Sequence, residues 1–151
     1  MDVMSSDEPI PFEVTLRVRD CCLCLHVQRA ARALARRFDE ALRSRGLTNG
    51  QFSLMMSLNR PEPPTMTSVA ALLAMDRTTL TAALKPLERR GLIAVTPDRA
   101  DRRSRRLTLT PQGKTLLASA VPVWEKTHRD LESQFKDGDV DRLRSSLLAL
   151  S

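Results

Sequence analysis

From Leu16 to Leu42, apolar residues return every three or four positions, at Leu23, Val27, Ala30, Ala31, Leu34, Phe38, Ala41 and Leu42. That spacing puts them on one face of a long helix. Arg29, Arg32, Arg36, Arg37 and Arg43 fall mainly on the other faces, and Gly46 is placed to end the helix, because a left-handed C-terminal residue favours glycine. Thr48, with Gln51 three residues on, has the form of a capping box and opens a second helix buried through Phe52, Met55, Met56 and Leu58. The stretch Arg60-Pro-Glu-Pro-Pro64 stops it. Thr65 or Thr67 can cap a short third helix, Ser68 to Ala74, with Val69, Leu72 and Leu73 inward. Asp76 has the chemistry of an N-cap for a fourth, running to about Arg90 on Leu80, Ala83, Leu84 and Leu87 and closed by Gly91. Pro86 lacks the N–H that would reach the Ala82 carbonyl, which predicts a bend or an early end.

After Gly91 the period shortens. Leu92–Thr96 and Arg106–Thr110 are short alternating or β-branched runs, and the polar, basic stretch from Pro97 to Arg105 joins them as a β-hairpin with an extended loop. Thr110-Pro-Gln-Gly113 then starts a helix with Pro111 at its first position. Leu116, Leu117, Ala120, Trp124 and Leu131 line it towards Phe135, and Pro122 is a candidate kink. Asp139 is the expected cap of a last helix carrying Leu143, Leu147, Leu148 and Leu150. The pattern predicts a mainly α protein with a small two- or three-stranded β-wing, a winged helix-turn-helix. Apolar stripes on helices at both ends of the chain exceed what so small a winged domain can bury.

Charge adds to this picture through its placement. The 151 residues hold 24 Lys and Arg against 18 Asp and Glu, a net charge of +6 with a pI near 10.0. Residues 1–16 are wholly acidic in their charges. Residues 17–45 place eight arginines against three acids, and residues 76–106 place nine bases against four acids. Two basic blocks point to a polyanion, or to a solvated charged face. Aromatic residues are 3% of the chain, with no tyrosine, which excludes single-strand binding by rows of stacked rings. Duplex DNA needs none. The longest clean apolar run, Val69 to Met75, is seven residues, far below the ~20 of a membrane span. The acidic, Pro-containing start lacks a basic-then-apolar signal, so a cytoplasmic address and no membrane partner are expected.

A helix about 10–12 Å across fills the major groove, and the residues on its exposed first turns reach base edges. Arg77, Thr78, Thr79 and Thr81 occupy those turns, with Lys85 one turn further. Arg77 can fork to guanine or clamp phosphate, the threonine hydroxyls can bond phosphate or base, and their methyls can touch thymine.

At these residues the chain resembles the MarR family of winged-helix repressors. The resemblance covers nearly the whole chain and rests on Gly46-Leu-Thr-Asn-Gly-Gln-Phe52, Asp76-Arg-Thr-Thr-Leu-Thr81, Leu87-Glu-Arg-Arg-Gly-Leu92 and Asp101-Arg-Arg-Ser-Arg-Arg-Leu-Thr-Leu-Thr-Pro-Gln-Gly113. The last block is the specific one. It implies that Arg103 is the wing-tip residue entering the minor groove and that Asp101 holds it in position, with Arg102 and Arg105 beside it as further DNA contacts. The resemblance also implies a homodimer on a palindromic operator, acting as a repressor without a cofactor. Its expected division is a flexible arm over 1–15, a helical dimerisation region over 16–46 and 111–151, and the DNA-binding domain over 47–110. Many members release DNA when a small aromatic or phenolic compound enters the crevice between dimer helices and winged domain, and His26, Phe52, Met55 and Met56 are the candidates to line it.

Cys21, Cys22 and Cys24 lie close to His26. Four readings stand side by side: apolar packing, a redox sensor, a metal site from Cys22 and His26, and an intersubunit disulfide. The redox reading, with Cys22 and Cys24 as its residues, draws on relatives that sense organic hydroperoxides through a cysteine in this stretch. Those sensors use tyrosine partners that this chain lacks. No phosphate loop, paired metal motif or Ser/His/Asp set marks an enzyme, a thiol peroxidase being the one remote option. A winged domain used for protein or RNA contacts is the third class, and Arg77 and Arg103 argue against it by sitting where duplex DNA would be read.

Overall fold

The computed structural model describes residues 9–151 and divides into two compact units, one ending at Ala35 and one running from Arg36 to Ser151. In the first, helix α1 spans Phe12–Cys21. Helix α2, Leu23–Leu42, begins there and continues into the second. The single helix expected from Leu16 to Leu42 is therefore two. It starts earlier because Pro11 sits at the N-cap, where its missing N–H costs nothing, and its carbonyl accepts from the Val14 N–H at 3.0 Å. Phe12 to Thr15, assigned to a flexible arm from sequence, are helical; residues 1–8 of that arm lie outside the described residues. The break is at Cys22, whose ψ of 110° is extended. Its N–H still reaches the Val18 carbonyl and its carbonyl still accepts from His26, so one residue interrupts the helix and it resumes at once.

The second unit holds the core. Gly46 takes a left-handed φ of 68° and turns the chain after α2. Thr48 and Gln51 form the expected reciprocal box, Gln51 N–H donating to Thr48 Oγ1 at 3.2 Å and Thr48 N–H to Gln51 Oε1 at 3.1 Å. This opens α3, Asn49–Ser57. After the proline segment, Thr65 caps α4, Met66–Leu72, two residues ahead of the expected start. Asp76 caps α5, Arg77–Arg89. Pro86 neither ends nor shortens α5. It falls in the last turn, where losing one N–H leaves the rest of the ladder standing. Leu54, Met55, Val69, Leu80, Leu84, Leu87, Leu107 and Leu109 close one core beneath α3, α4, α5 and the hairpin. Each such fully buried leucine is worth about 1.5–3 kcal/mol.

Strands β1, Ile93–Pro97, and β2, Arg105–Leu109, pair antiparallel with Ile93 opposite Leu109 and Pro97 opposite Arg105. The sheet has two strands, and in place of a third is a single bridge between Thr65 and Arg106. Helix α6, Pro111–Glu132, runs through Pro122, and its N-terminus is held against the hairpin base. Thr110 does both jobs, its Oγ1 accepting from the Gly113 N–H at 3.0 Å and donating to the Gly91 carbonyl at 2.6 Å. Helix α7, Asp139–Ala149, is capped by Gly138 in a left-handed φ of 83°; Asp139 is its first residue and pairs with Arg142 instead. Leu143, Leu147, Leu148 and Leu150 are exposed. No helix among the described residues is long and apolar enough to cross a membrane.

Gly113 packs so closely that an added Cβ would lie 2.0 Å from the Leu92 carbonyl oxygen. Gly113→Ala must push α6 off the hairpin base and is expected to cost about 1–3 kcal/mol. Gly50→Ala, with its nearest neighbour at 4.0 Å, is expected to be neutral or stabilising. Denaturant midpoints of the two variants check the difference, and equal midpoints would contradict the packing.

Candidate nucleic-acid interface

Leu80, Leu84 and Leu87 are 0%, 3% and 0% exposed, so one face of α5 is locked into the core. The helical period then turns Arg77, Thr78, Thr81 and Lys85 outward, and all four are exposed. No ion pair among the described residues engages Arg77 or Lys85, so both charges are available to a partner. Thr79 is used differently from its neighbours. Asp76 Oδ1 accepts the Thr79 N–H at 2.7 Å and Asp76 Oδ2 accepts its hydroxyl at 2.9 Å. The hydroxyl proton that a phosphate contact would need is thereby committed to the cap. These two bonds, the backbone one foremost, hold the Asp76 carboxyl below the usual carboxylate range.

The hairpin loop is tied by its own backbone. Asp98 N–H donates to the Ser104 carbonyl at 3.0 Å and Ser104 N–H to the Asp101 carbonyl at 2.9 Å. Asp101 Oδ1 accepts the Arg103 N–H at 3.0 Å, so Asp101 meets Arg103 at its main chain rather than at its guanidinium. Arg99, Arg102, Arg103 and Arg105 are all exposed around this turn, with Arg105 reaching the Arg102 carbonyl at 3.4 Å.

Two residues of this region escaped the sequence reading. Arg106, the last base of the run, turns away from the loop tip to Asp98 and to the Pro63 carbonyl. The Asp98 carboxyl is held below its usual range, chiefly by the Ala100 N–H and then by Arg106. The strand alternation offered a signal for Arg106, since it sits opposite in face to the inward Leu107 and Leu109. Nothing local distinguishes Asp98 from any other loop acid.

The candidate effector residues separate. Phe52 and Met56 line a groove of about 550 Å³ with Ser53, Leu72, Val121 and Trp124. Phe52 stacks on Trp124 at 6.0 Å and Trp124 on His128 at 4.8 Å between ring centres. Met55 is 0% exposed and belongs to the core. His26 is exposed on α2, its Nδ1 2.7 Å from the Cys22 carbonyl oxygen. Cys21 and Cys24 are exposed, Cys22 is half-buried, and all three are free thiols. Among the described residues no three His, Cys, Asp or Glu gather as metal ligands.

A helix-turn-helix whose second helix is exposed along a polar face, followed by an arginine-tipped hairpin, is the arrangement of winged-helix proteins. The model of the MarR family matches residues 47–104. A crystal structure of the M. tuberculosis transcriptional regulator MosR in complex with DNA superposes with a TM-score of 0.78 at 36% identity, covering 85% of this chain and 92% of that one. The transcriptional activatory protein BadR of Rhodopseudomonas palustris is 35% identical over 95 residues, 61% of this chain and 54% of BadR, so the match spans about half of that relative. An organic hydroperoxide resistance transcriptional regulator of Bacillus subtilis is 29% identical over 128 residues, 85% of this chain and 86% of that protein. The chain belongs to the MarR family of winged-helix transcriptional regulators, and these relatives are regulators rather than enzymes.

Because the folded-state value of Asp76 is lowered, its cap stabilises α5 above the unfolded carboxylate value and loses that effect as pH falls through the lowered one. Asp76→Ala is expected to lower the melting temperature at neutral pH. Its deficit against the unmodified protein should shrink as the pH is taken below the usual carboxylate range. A deficit independent of pH would contradict the cap.

Proposed function

We propose that this protein is a sequence-specific duplex-DNA-binding regulator that works as a homodimer on a palindromic operator. Helix α5 lies in the major groove with Arg77, Thr78, Thr81 and Lys85 towards bases and phosphates. The wing carries Arg103 into the minor groove, where a narrow A/T-rich stretch concentrates negative potential. The observation that carries this reading is the outward face of α5 standing beside a loop of four exposed arginines. The exposed leucines of α7 support a second copy as the partner of the helical region, because 76% exposure of Leu148 and 65% of Leu150 is costly in a monomer. Repression is the mode we infer, relieved when a small aromatic or phenolic effector enters the Phe52–Trp124 groove. Its mostly apolar walls with Ser53, Ser57 and Glu125 at hand suit such a compound.

A second reading, relief by an organic hydroperoxide, is favoured by three free thiols gathered at the one non-helical residue between α1 and α2. There the Cys22 thiolate would attack the peroxide, giving sulfenic acid and an alcohol. A neighbouring thiol, Cys24 or Cys21, would then condense with it to a disulfide and release water. Loss of operator affinity on peroxide titration, absent in Cys22→Ser, favours this reading over the groove; unchanged affinity removes it.

Selection from a random duplex pool tests the main proposal. An enriched inverted repeat is expected, with affinity falling steeply with salt. Arg103→Ala should weaken that binding by about 1–3 kcal/mol while the fold persists. A pool without an enriched sequence, or an Arg103→Ala affinity equal to that of the unmodified protein, would overturn it.

A further inference from the structure

The hairpin has only two strands, and such a ribbon is marginal on its own. Its outer strand is held from the far side by the proline segment before α4. Leu107 N–H donates to the Pro64 carbonyl at 3.0 Å, and Thr65 and Arg106 form a lone bridge. The Arg106 guanidinium completes the attachment at both ends, Nη1 donating to the Pro63 carbonyl at 2.8 Å and Nη2 to Asp98 Oδ2 at 3.3 Å. Asp98 is the first residue beyond β1, and its other carboxylate oxygen takes the Ala100 N–H at 3.2 Å. Its side chain is 15% exposed against 37% for Arg106, so the pair is partly withdrawn from solvent, where a charge-assisted bond counts for more. The segment it grips carries Pro61, Pro63 and Pro64, whose fixed φ angles make a stiff anchor.

We infer that Arg106 and Asp98 are positioning residues for the wing: together they pin the start of the arginine loop to the Pro61–Pro64 segment and so set where Arg103 stands relative to α5. Arg106 closes the basic block in sequence, yet its guanidinium is turned inward to two acceptors within the protein. The inference rests on the DNA-binding reading. It adds that affinity depends on an acid in the wing, the opposite of what charge alone dictates.

That opposition supplies the test. Asp98→Asn is nearly isosteric and removes a negative charge from a DNA-facing loop. Electrostatics alone would make this variant bind the selected duplex more tightly. Loss of the clamp predicts weaker binding, about fivefold or more, the scale of one lost specific contact. Arg106→Gln should weaken binding at least as much, since it also gives up the Pro63 carbonyl, and the double variant should lose less than the sum of the two single losses, since both break the same pair. Arg106→Lys keeps the charge but has one nitrogen in place of the two that reach the Pro63 carbonyl and Asp98, so it should recover only part of the loss. Its dependence on salt should keep the slope of the unmodified protein, because no phosphate contact has been removed.

Amide exchange at Asp98 and Ser104, measured without DNA, should speed up in Asp98→Asn and Arg106→Lys while the core amides stay protected. That arm reads the clamp even if the unmodified protein selects no duplex, an outcome that would sink the DNA-binding reading instead. Tighter or unchanged binding by Asp98→Asn, additive losses in the double variant, or unaltered loop exchange would overturn the inference.

Discussion

Leu80, Leu84 and Leu87 share one core with Met55, Val69 and Leu107, and their burial sets the roll of α5 about its own axis. A helix turns 100° per residue, so fixing three inward side chains fixes every outward one. Arg77, Thr78, Thr81 and Lys85 are exposed for that reason, and a roll of one residue would bury a charge or a threonine and expose a leucine. The polar face therefore cannot be moved without losing the core beneath it. Asp76 fixes the other coordinate, the point along the chain at which the helix begins, with both its oxygens on Thr79.

The wing obeys a different logic. It has little core of its own, and Leu107 and Leu109 seat its base while the tip stands in solvent. Its shape comes from hydrogen bonds between loop backbone and the carboxylates of Asp98 and Asp101. Two acids inside a block of arginines look like lost charge, but Asp98 takes the Ala100 N–H and pairs with Arg106 while Asp101 takes the Arg103 N–H, so both order the backbone that carries the arginines. At the far end of the hairpin, Thr110 and Gly113 weld β2 to α6. Helix α6 is thus tied to the Gly91–Leu92 corner where α5 ends, the connection that the proposed release by an effector in the Phe52–Trp124 groove would use.

Elements announced by local chemistry were legible from sequence. Thr48 and Asp76 cap the helices they were expected to cap, Thr65 rather than Thr67 caps the next, and Pro111 opens α6 as expected, because a side-chain oxygen three residues before an N–H needs little from the rest of the fold; Asp139, expected as a cap on the same ground, gives way to Gly138. Features that depend on distant partners were not. Cys22 sits in a continuous helical pattern and leaves it without any glycine or proline to signal the break. Met55 and Met56 are neighbours of one type on one helix, yet one fills the core and the other lines a groove, a choice made by what packs above them. Arg106 looked like its neighbours until the Pro63 carbonyl, 43 residues away in sequence, was found in front of it. Thr79 was grouped with the other threonines of α5 because type and exposure agree; only the position of the Asp76 carboxylate separates it.

Methylation protection on the selected duplex bears most directly on the central claim, that α5 and the wing address two grooves of the same site. Dimethyl sulfate reaches guanine N7 in the major groove and adenine N3 in the minor groove. With protein at saturation for each variant, the account predicts protection of guanine N7 in each half-site and of adenine N3 beside it, symmetric about the dyad, with Arg103→Ala losing the adenine protection alone. Protection confined to one groove, or loss of both signals together in Arg103→Ala, would contradict it.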